Sequence, residues 1–267
     1  RGDTVLEDRL NHASLLDGGL ASRARLTRYA HANVDDLNAK LEKAQGNKLI
    51  VSDGVFSMDG DFAPLKALSL TAERHSSWLM VDDAHGIGVI GERGGGLVQY
   101  CNLNQSEVPI LMGTLGKALG CFGAFVAGSE ELIEMLIQKA RTYIYTTALP
   151  PAVAEATRVS LKIATKENWR RDKLNKLISH FKSGVQQLGL DLMTSSSAIQ
   201  PLLIGDSYKA LRISNALLAK GFLVSAIRPP TVPRHSARLR ITFSALHEEK
   251  HVDRLLCALS ELRQLYD

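Results

Sequence analysis

Several side chains capable of chemistry stand at the ends of short apolar runs in this sequence. Lys117 lies in Thr114-Leu115-Gly116-Lys117-Ala118-Leu119-Gly120, directly after the run Val108–Met112. A lysine becomes a Schiff-base nucleophile when burial and nearby charge lower its pKa. Gly116 and Gly120 let a bulky planar group approach the backbone, and Thr114 could donate its hydroxyl to a phosphate. The segment is not a P-loop, because Ala118 stands where GxxxxGK[ST] needs a hydroxyl residue. On its own, a lysine after a glycine reads as an exposed loop residue.

A second candidate is Val81-Asp82-Asp83-Ala84-His85-Gly86. Two acids and an imidazole at a strand end could be metal ligands, an acid–base pair, or a clamp on a cofactor ring. No further ligand cluster with metal spacing accompanies them. On a strand, Asp82 and Asp83 point to opposite faces. The third segment, Asp53-Gly54-Val55-Phe56-Ser57-Met58-Asp59-Gly60-Asp61, lacks the DxDxDG spacing and closing Glu of a calcium loop. It reads as a turn presenting Ser57. His12, in Asn11-His12-Ala13-Ser14, carries no functional weight alone.

These residues need elements to hold them. Apolar runs at Lys48–Ser52, Trp78–Val81, Val108–Thr114 and Gly123–Gly128 have strand length. Helical patterns at Asp35–Ala44 and Leu65–Arg74 lie between some of them. The pattern predicts an α/β domain with a largely parallel, buried sheet. Open sheets of that kind bind ligands at strand C-termini, where Asp53, Ser57, Asp82, His85, Thr114 and Lys117 collect. The pair Pro150-Pro151 breaks the chain, so residues 1–149 read as a large domain and 150–267 as a smaller α+β domain. The latter should contain helices at 151–165 and 171–188 and strands at Gln200–Ile204, Phe222–Ala226 and Arg238–Phe243. A final helix is expected from Glu248 to Tyr266.

Composition narrows the class. The chain has 267 residues, 45% hydrophobic and 22% charged, with formal net charge +4. Its cations are scattered and no basic–aromatic block points to nucleic acid. The mixed cluster Glu167–Lys173 reads as a solvated helix start. No apolar run reaches membrane-spanning length. Cys101, Cys121 and Cys257 are odd in number and far apart, which argues against a disulfide framework and for a reducing, cytoplasmic setting. Cys257 is expected to pack in an apolar helical stripe.

Taken together, LNHASLLDG, VSDGVFSMDGDFAPL, WLMVDDAHGIGVIG, GTLGKALG, YIYTTALPP and AIRPPTVP resemble the α-oxoamine synthase family of pyridoxal 5'-phosphate (PLP) enzymes. The resemblance implies the aminotransferase fold type I and a homodimer with sites at the subunit interface. It implies that Lys117 forms the covalent link to PLP and moves the α-proton, while His12 stacks on the ring and touches substrate. Asp82 would pair with the ring nitrogen and His85 with its phenolic oxygen. Ser57 would lie near the cofactor, Thr114 and the second subunit's Thr147 would hold the phosphate, and Thr231 would contact substrate. Arg228 or Arg238 would bind the amino-acid carboxylate, with Arg240 a structural alternative. VDDAHG and Ile227–Pro233 favour the branch that condenses L-alanine with a pimeloyl thioester. The alternatives are the glycine-using acetyltransferase branch and a non-catalytic scaffold. Family members carry a segment before LNHAS, so the sequence reads as an N-terminally truncated member.

Overall fold

Runs of aliphatic residues become parallel strands only where helices cover both faces of the sheet. The computed structural model describes residues 2–265. Its first part runs β1 (Thr4–Asp8), α1 (Ala13–Ala21), β2 (Arg25–Tyr29), α2 (Val34–Leu41), β3 (Lys48–Asp53), α3 (Leu65–Arg74) and β4 (Trp78–Asp82). It continues with α4 (Gly96–Tyr100), β5 (Ile110–Thr114), β6 (Ala124–Ala127), α5 (Glu130–Lys139), α6 (Arg141–Ile144) and α7 (Pro151–Lys166). The six strands form one sheet in the order β2-β1-β3-β4-β5-β6. All neighbours are parallel except β5 and β6.

Side chains alternate across this sheet, as the two-residue strand period requires. Leu6, Ile50, Leu79 and Val81 face a core shared with Leu37 and Leu41 of α2 and Leu65 and Leu68 of α3. Val5 and Val51 face the other way, against Leu15 of α1. Helix starts follow local capping chemistry: Asn33 caps α2, Ser129 caps α5, and Pro151 occupies the first turn of α7, where its missing N–H costs nothing.

A second set of elements follows: α8 (Trp169–Gln187), β7 (Ile199–Gly205), α9 (Ser207–Ala219), β8 (Ser225–Ile227), β9 (Ala237–Thr242) and α10 (Glu249–Glu261). Their strands form a three-stranded antiparallel sheet in the order β7-β9-β8. Helix α9 packs on this sheet, and α10 packs on α8. Phe181, fully buried in α8, meets Phe243 with ring centroids 5.0 Å apart. By packing, the chain divides into Arg1–Phe56 with Phe62–Asn168, and Ser57–Asp61 with Trp169–Asp267.

Several details differ from the sequence expectation. Strands β1 and β2 and helix α1 were not foreseen, because TVLED and RLTRY carry few apolar residues. The strand expected at Phe222–Ala226 begins at Ser225, since the Phe222 N–H closes the turn after α9 on the Leu217 carbonyl. Helix α10 ends at Glu261, a short 3-10 turn spans Arg263–Leu265, and the expected endpoint Tyr266 lies outside the described residues. Cys257 is exposed: in α10 the buried stripe is Val252, Leu255, Ala258 and Leu259, and the helical period turns residue 257 outward. Within the cluster read as solvated, Arg171 is buried.

The Phe181 site gives a direct test of the smaller core. Phe181→Ala should destabilise that unit by about 3–5 kcal/mol, measured as a shift in its urea transition through Trp169 fluorescence. A loss below ~1 kcal/mol would remove Phe181 from the core.

Candidate functional site

Parallel strands end on one edge, so residues that terminate them become neighbours whatever their sequence separation. Asp53 ends β3, Asp82 ends β4 and Thr114 ends β5; in the ladder Asp53 is opposite Asp82, and Asp82 is opposite Met112. Lys117 stands in the loop after β5. That loop is closed by the Gly120 N–H on the Lys117 carbonyl at 3.0 Å and the Cys121 N–H on the Leu115 carbonyl at 2.8 Å. Gly120 makes its turn at φ +63°, with open space where a Cβ would stand. Helix α7 adds a brace, its Ser160 hydroxyl donating to the Leu119 carbonyl at 2.7 Å.

Lys117 Nζ lies 3.0 Å from His85 Nε2. His85 is carried by the turn after β4, closed by the Gly86 N–H on the Asp83 carbonyl. Asp82 is buried, and its Oδ1 accepts the Ala84 N–H at 3.0 Å. Burial raises its carboxyl pKa, while the Ala84 N–H and the charges of Lys117 and His12 pull it down. His12 is exposed at the start of α1 as its N-cap, its Nδ1 2.8 Å from the Ser14 hydroxyl. The fold thus gathers Lys117, His85, Asp82 and His12 at one sheet edge. Thr114 is nearby, but its hydroxyl already donates to the Gly123 carbonyl at 3.1 Å and accepts the Gly116 N–H at 3.2 Å. Thr147 lies on the exposed stretch after α6.

Asp83 does a different job from Asp82, as the strand alternation predicts. It is fully buried, and its Oδ2 accepts the Leu97 N–H at the start of α4 at 2.5 Å. Three glycines surround it. A Cβ on Gly54, Gly86 or Gly96 would stand 2.8, 2.0 or 1.9 Å from an Asp83 carboxylate oxygen. Among the described residues, Oδ1 has no hydrogen-bond partner. Burial pushes this carboxyl up to about 7 despite the backbone N–H groups that favour its anion.

The other predicted residues belong to the second packing unit. Arg238 is buried, and its Nη1 pairs with Asp59 at 2.7 Å. Arg240, next in line on the same face of β9, donates from Nε to the Ser57 carbonyl at 2.7 Å. Among the described residues its Nη atoms have no partner, and burial lowers its pKa. A half-buried guanidinium with its fork open suits a carboxylate. The sequence left the choice between Arg228 and Arg238 open, with Arg240 a structural alternative, because it gives no view of Asp59. Ser57 therefore offers its carbonyl to Arg240. Arg228 is exposed, and Thr231 is exposed next to the Pro229-Pro230 pair with its N–H on the Arg228 carbonyl at 3.0 Å. Asp53 is the residue that motif reading left without a role; its signal was its place at the end of an apolar run.

An open, mainly parallel α/β sheet with an amine, an imidazole and a carboxylate at its strand ends is the fold type I architecture of PLP-dependent transferases. The chain belongs to the family described as aminotransferase class I and II, whose model matches residues 1–259. It is 60% identical over 261 residues to an 8-amino-7-oxononanoate synthase of Stutzerimonas stutzeri, covering 98% of this chain and 67% of that protein. An 8-amino-7-oxononanoate synthase structure from Francisella tularensis superposes with TM-score 0.87 at 32% identity, covering 99% of this chain and 77% of that one. A serine palmitoyltransferase from S. paucimobilis with a bound PLP–myriocin aldimine superposes with TM-score 0.94 at 30% identity, covering 99% and 68%. The chain spans about two thirds of the length of the curated relatives it matches. The resemblance to α-oxoamine synthases read from the six motifs is borne out by these relatives. No helix among the described residues is long and apolar enough to cross a membrane.

The Asp83 carboxyl links this site to stability. Its folded pKa is raised above the unfolded value, so its contribution is present below about pH 4 and is lost as pH rises through about 7. Asp83→Asn should therefore flatten the fall in urea midpoint between pH 5 and pH 8 relative to the wild type. Equal slopes in the two proteins would reject the assignment.

Proposed function

We propose that this chain carries the cofactor and substrate residues of an 8-amino-7-oxononanoate synthase. The reaction is PLP-dependent decarboxylative condensation of L-alanine with the thioester of pimeloyl-CoA or a pimeloyl carrier protein, in biotin biosynthesis. The observation that carries this reading is the approach of Lys117 Nζ to His85 Nε2 beside the buried Asp82 carboxylate. The identity to curated 8-amino-7-oxononanoate synthases supports the substrate class.

The residues fit the cofactor. Asp82 is a desolvated carboxylate at a strand end, suited to a cationic ring N–H. Lys117 is exposed, and the turn at Gly120 leaves space beside it. Bound there, PLP supplies an electron sink for the substrate α-carbon. Asp82 would hold the ring nitrogen protonated, His85 would contact the phenolic oxygen, and His12 would stack on the ring and touch substrate. Thr114 and Thr147 of a second copy would hold the phosphate, and Ser57 would lie near the cofactor. Lys117 Nζ would hold the cofactor and, once L-alanine is bound, would take its α-proton. In the overall reaction a C–C bond would form between the alanine α-carbon and the thioester carbonyl as the thiol leaves, and the C–CO2 bond would break with the α-carbon taking up a proton that Lys117 is placed to return. Thr231 would contact substrate, with Arg228 and Arg238 the other candidates for its carboxylate. The open fork of Arg240 supports it as the group that grips the carboxylate, while Arg238 braces Asp59.

The proposed assembly is a homodimer in the cytoplasm, with residues 1–149 carrying the cofactor and 150–267 the smaller domain. Phe122, Met135, Tyr143 and Tyr145, all exposed on the first of these, are candidates for that contact.

Purified protein with PLP should show a visible-edge absorbance band that borohydride fixes to Lys117, and Lys117→Ala should lose both. Retention of reducible cofactor in that variant would overturn the reading. L-alanine should perturb the band at lower concentration than glycine; the reverse order would point to the glycine-using acetyltransferase, and no response to either, with PLP bound, to a non-catalytic scaffold. Arg240→Ala should raise the KM for L-alanine about tenfold or more with a smaller change in kcat. Arg238→Ala should chiefly lower the urea midpoint. An unchanged KM in Arg240→Ala would return the carboxylate to another arginine.

A further inference from the structure

Asp53 ends β3 next to Asp82, is 4% exposed, and has no part in the roles assigned above. Its side chain and its N–H both bind the segment that carries His12. Its Oδ2 accepts the His12 N–H at 3.0 Å. Its own N–H donates to Asn11 Oδ1 at 2.9 Å, and Asn11 Nδ2 donates to the Val51 carbonyl at 2.9 Å. Residues 11 and 12 are thereby laced to the end of β3 by three hydrogen bonds, although they belong to no strand. At its other end the His12 imidazole is held through Nδ1, which lies 2.8 Å from the Ser14 hydroxyl and 3.3 Å from the Ser14 nitrogen. An N-cap residue has one soft degree of freedom left once its ring nitrogen is engaged: the placement of its backbone. Asp53 removes it.

We propose that Asp53 is a positioning residue of this site, fixing the backbone of His12, and through it the imidazole, at the strand-end edge that holds Asp82 and Lys117. The proposal rests on the PLP reading of that edge. Burial, with the neighbouring Asp82 charge, pushes the Asp53 carboxyl up to about 8, while the His12 N–H and the Lys117 ammonium favour its anion. Burial thus favours the neutral acid at Asp53, whose oxygen still accepts the His12 N–H. An amide oxygen of the same shape can do the same work, which separates this role from one needing a carboxylate charge.

The test compares wild type, Asp53→Asn and Asp53→Ala by amide hydrogen exchange at His12 and at Ile50 in the middle of β3, and by absorbance titration with PLP. Asp53→Ala should speed His12 exchange and weaken PLP binding, each about tenfold or more, the range seen when partners that orient a ligand-binding side chain are removed. Ile50 exchange should stay within about twofold, and Asp53→Asn should restore both His12 protection and affinity. Unchanged His12 exchange with unchanged affinity in Asp53→Ala overturns the proposal. So does a loss of affinity accompanied by equal loss of protection at Ile50, which would mark Asp53 as a general support of the sheet. If Asp53→Ala does not fold, Asp53→Ser, too short to reach the His12 N–H, removes the same bond, and the same contrast between His12 and Ile50 decides. Wild-type protein that binds no PLP would sink the cofactor reading alone, because the exchange contrast at His12 stands without it.

Discussion

Burying two carboxylates side by side at the ends of parallel strands is the constraint on which this site depends. Asp53 and Asp82 occupy opposed ladder positions, both out of water. Water no longer screens either charge, so each oxygen must find a donor or keep its proton. The backbone N–H groups of His12 and Ala84 supply part of the answer, and the Lys117 ammonium supplies another part. A cationic ring nitrogen would complete it, which is why a desolvated acid at this edge is better understood as half of an ion pair than as a structural residue.

Asp83 shows the same constraint solved without a ligand. One residue along the strand, it turns to the other face and holds the start of α4. The glycines at 54, 86 and 96 stand against its oxygens, so the turn that carries His85 is shaped around a carboxylate. Gly96 also sits at φ +80°, a conformation that glycine adopts without strain. The functional face of the 82–86 turn and its structural face are thus set by alternation along one strand. Substitutions meant to probe Asp82 act on a segment whose geometry Asp83 has already fixed.

In the second packing unit, β9 places two arginines on one face with distinct environments. Arg238 is neutralised by Asp59, and Arg240 touches only a carbonyl. A half-buried guanidinium of this kind suits the substrate carboxylate proposed for it. Both arginines brace the Ser57–Asp61 turn, a piece of chain that lies far from β9 in sequence yet packs with it.

The sequence by itself determined the class of fold and which polar side chains stand at its strand ends. Apolar runs at Lys48, Trp78 and Ile110 mark buried parallel strands, and polar residues that follow such runs must meet at one edge. Lys117, Asp82 and His85 were legible for that reason, because strand period and strand ends are local properties. Strands β1 and β2 were not legible, since TVLED and RLTRY are strands only through their neighbours. Nor was the division of labour among acids and arginines. Asp53 matters through a residue 41 positions away, and Arg238 is occupied by one 179 positions away. Which donor meets which acceptor depends on packing between distant segments, and only the tertiary structure decides that.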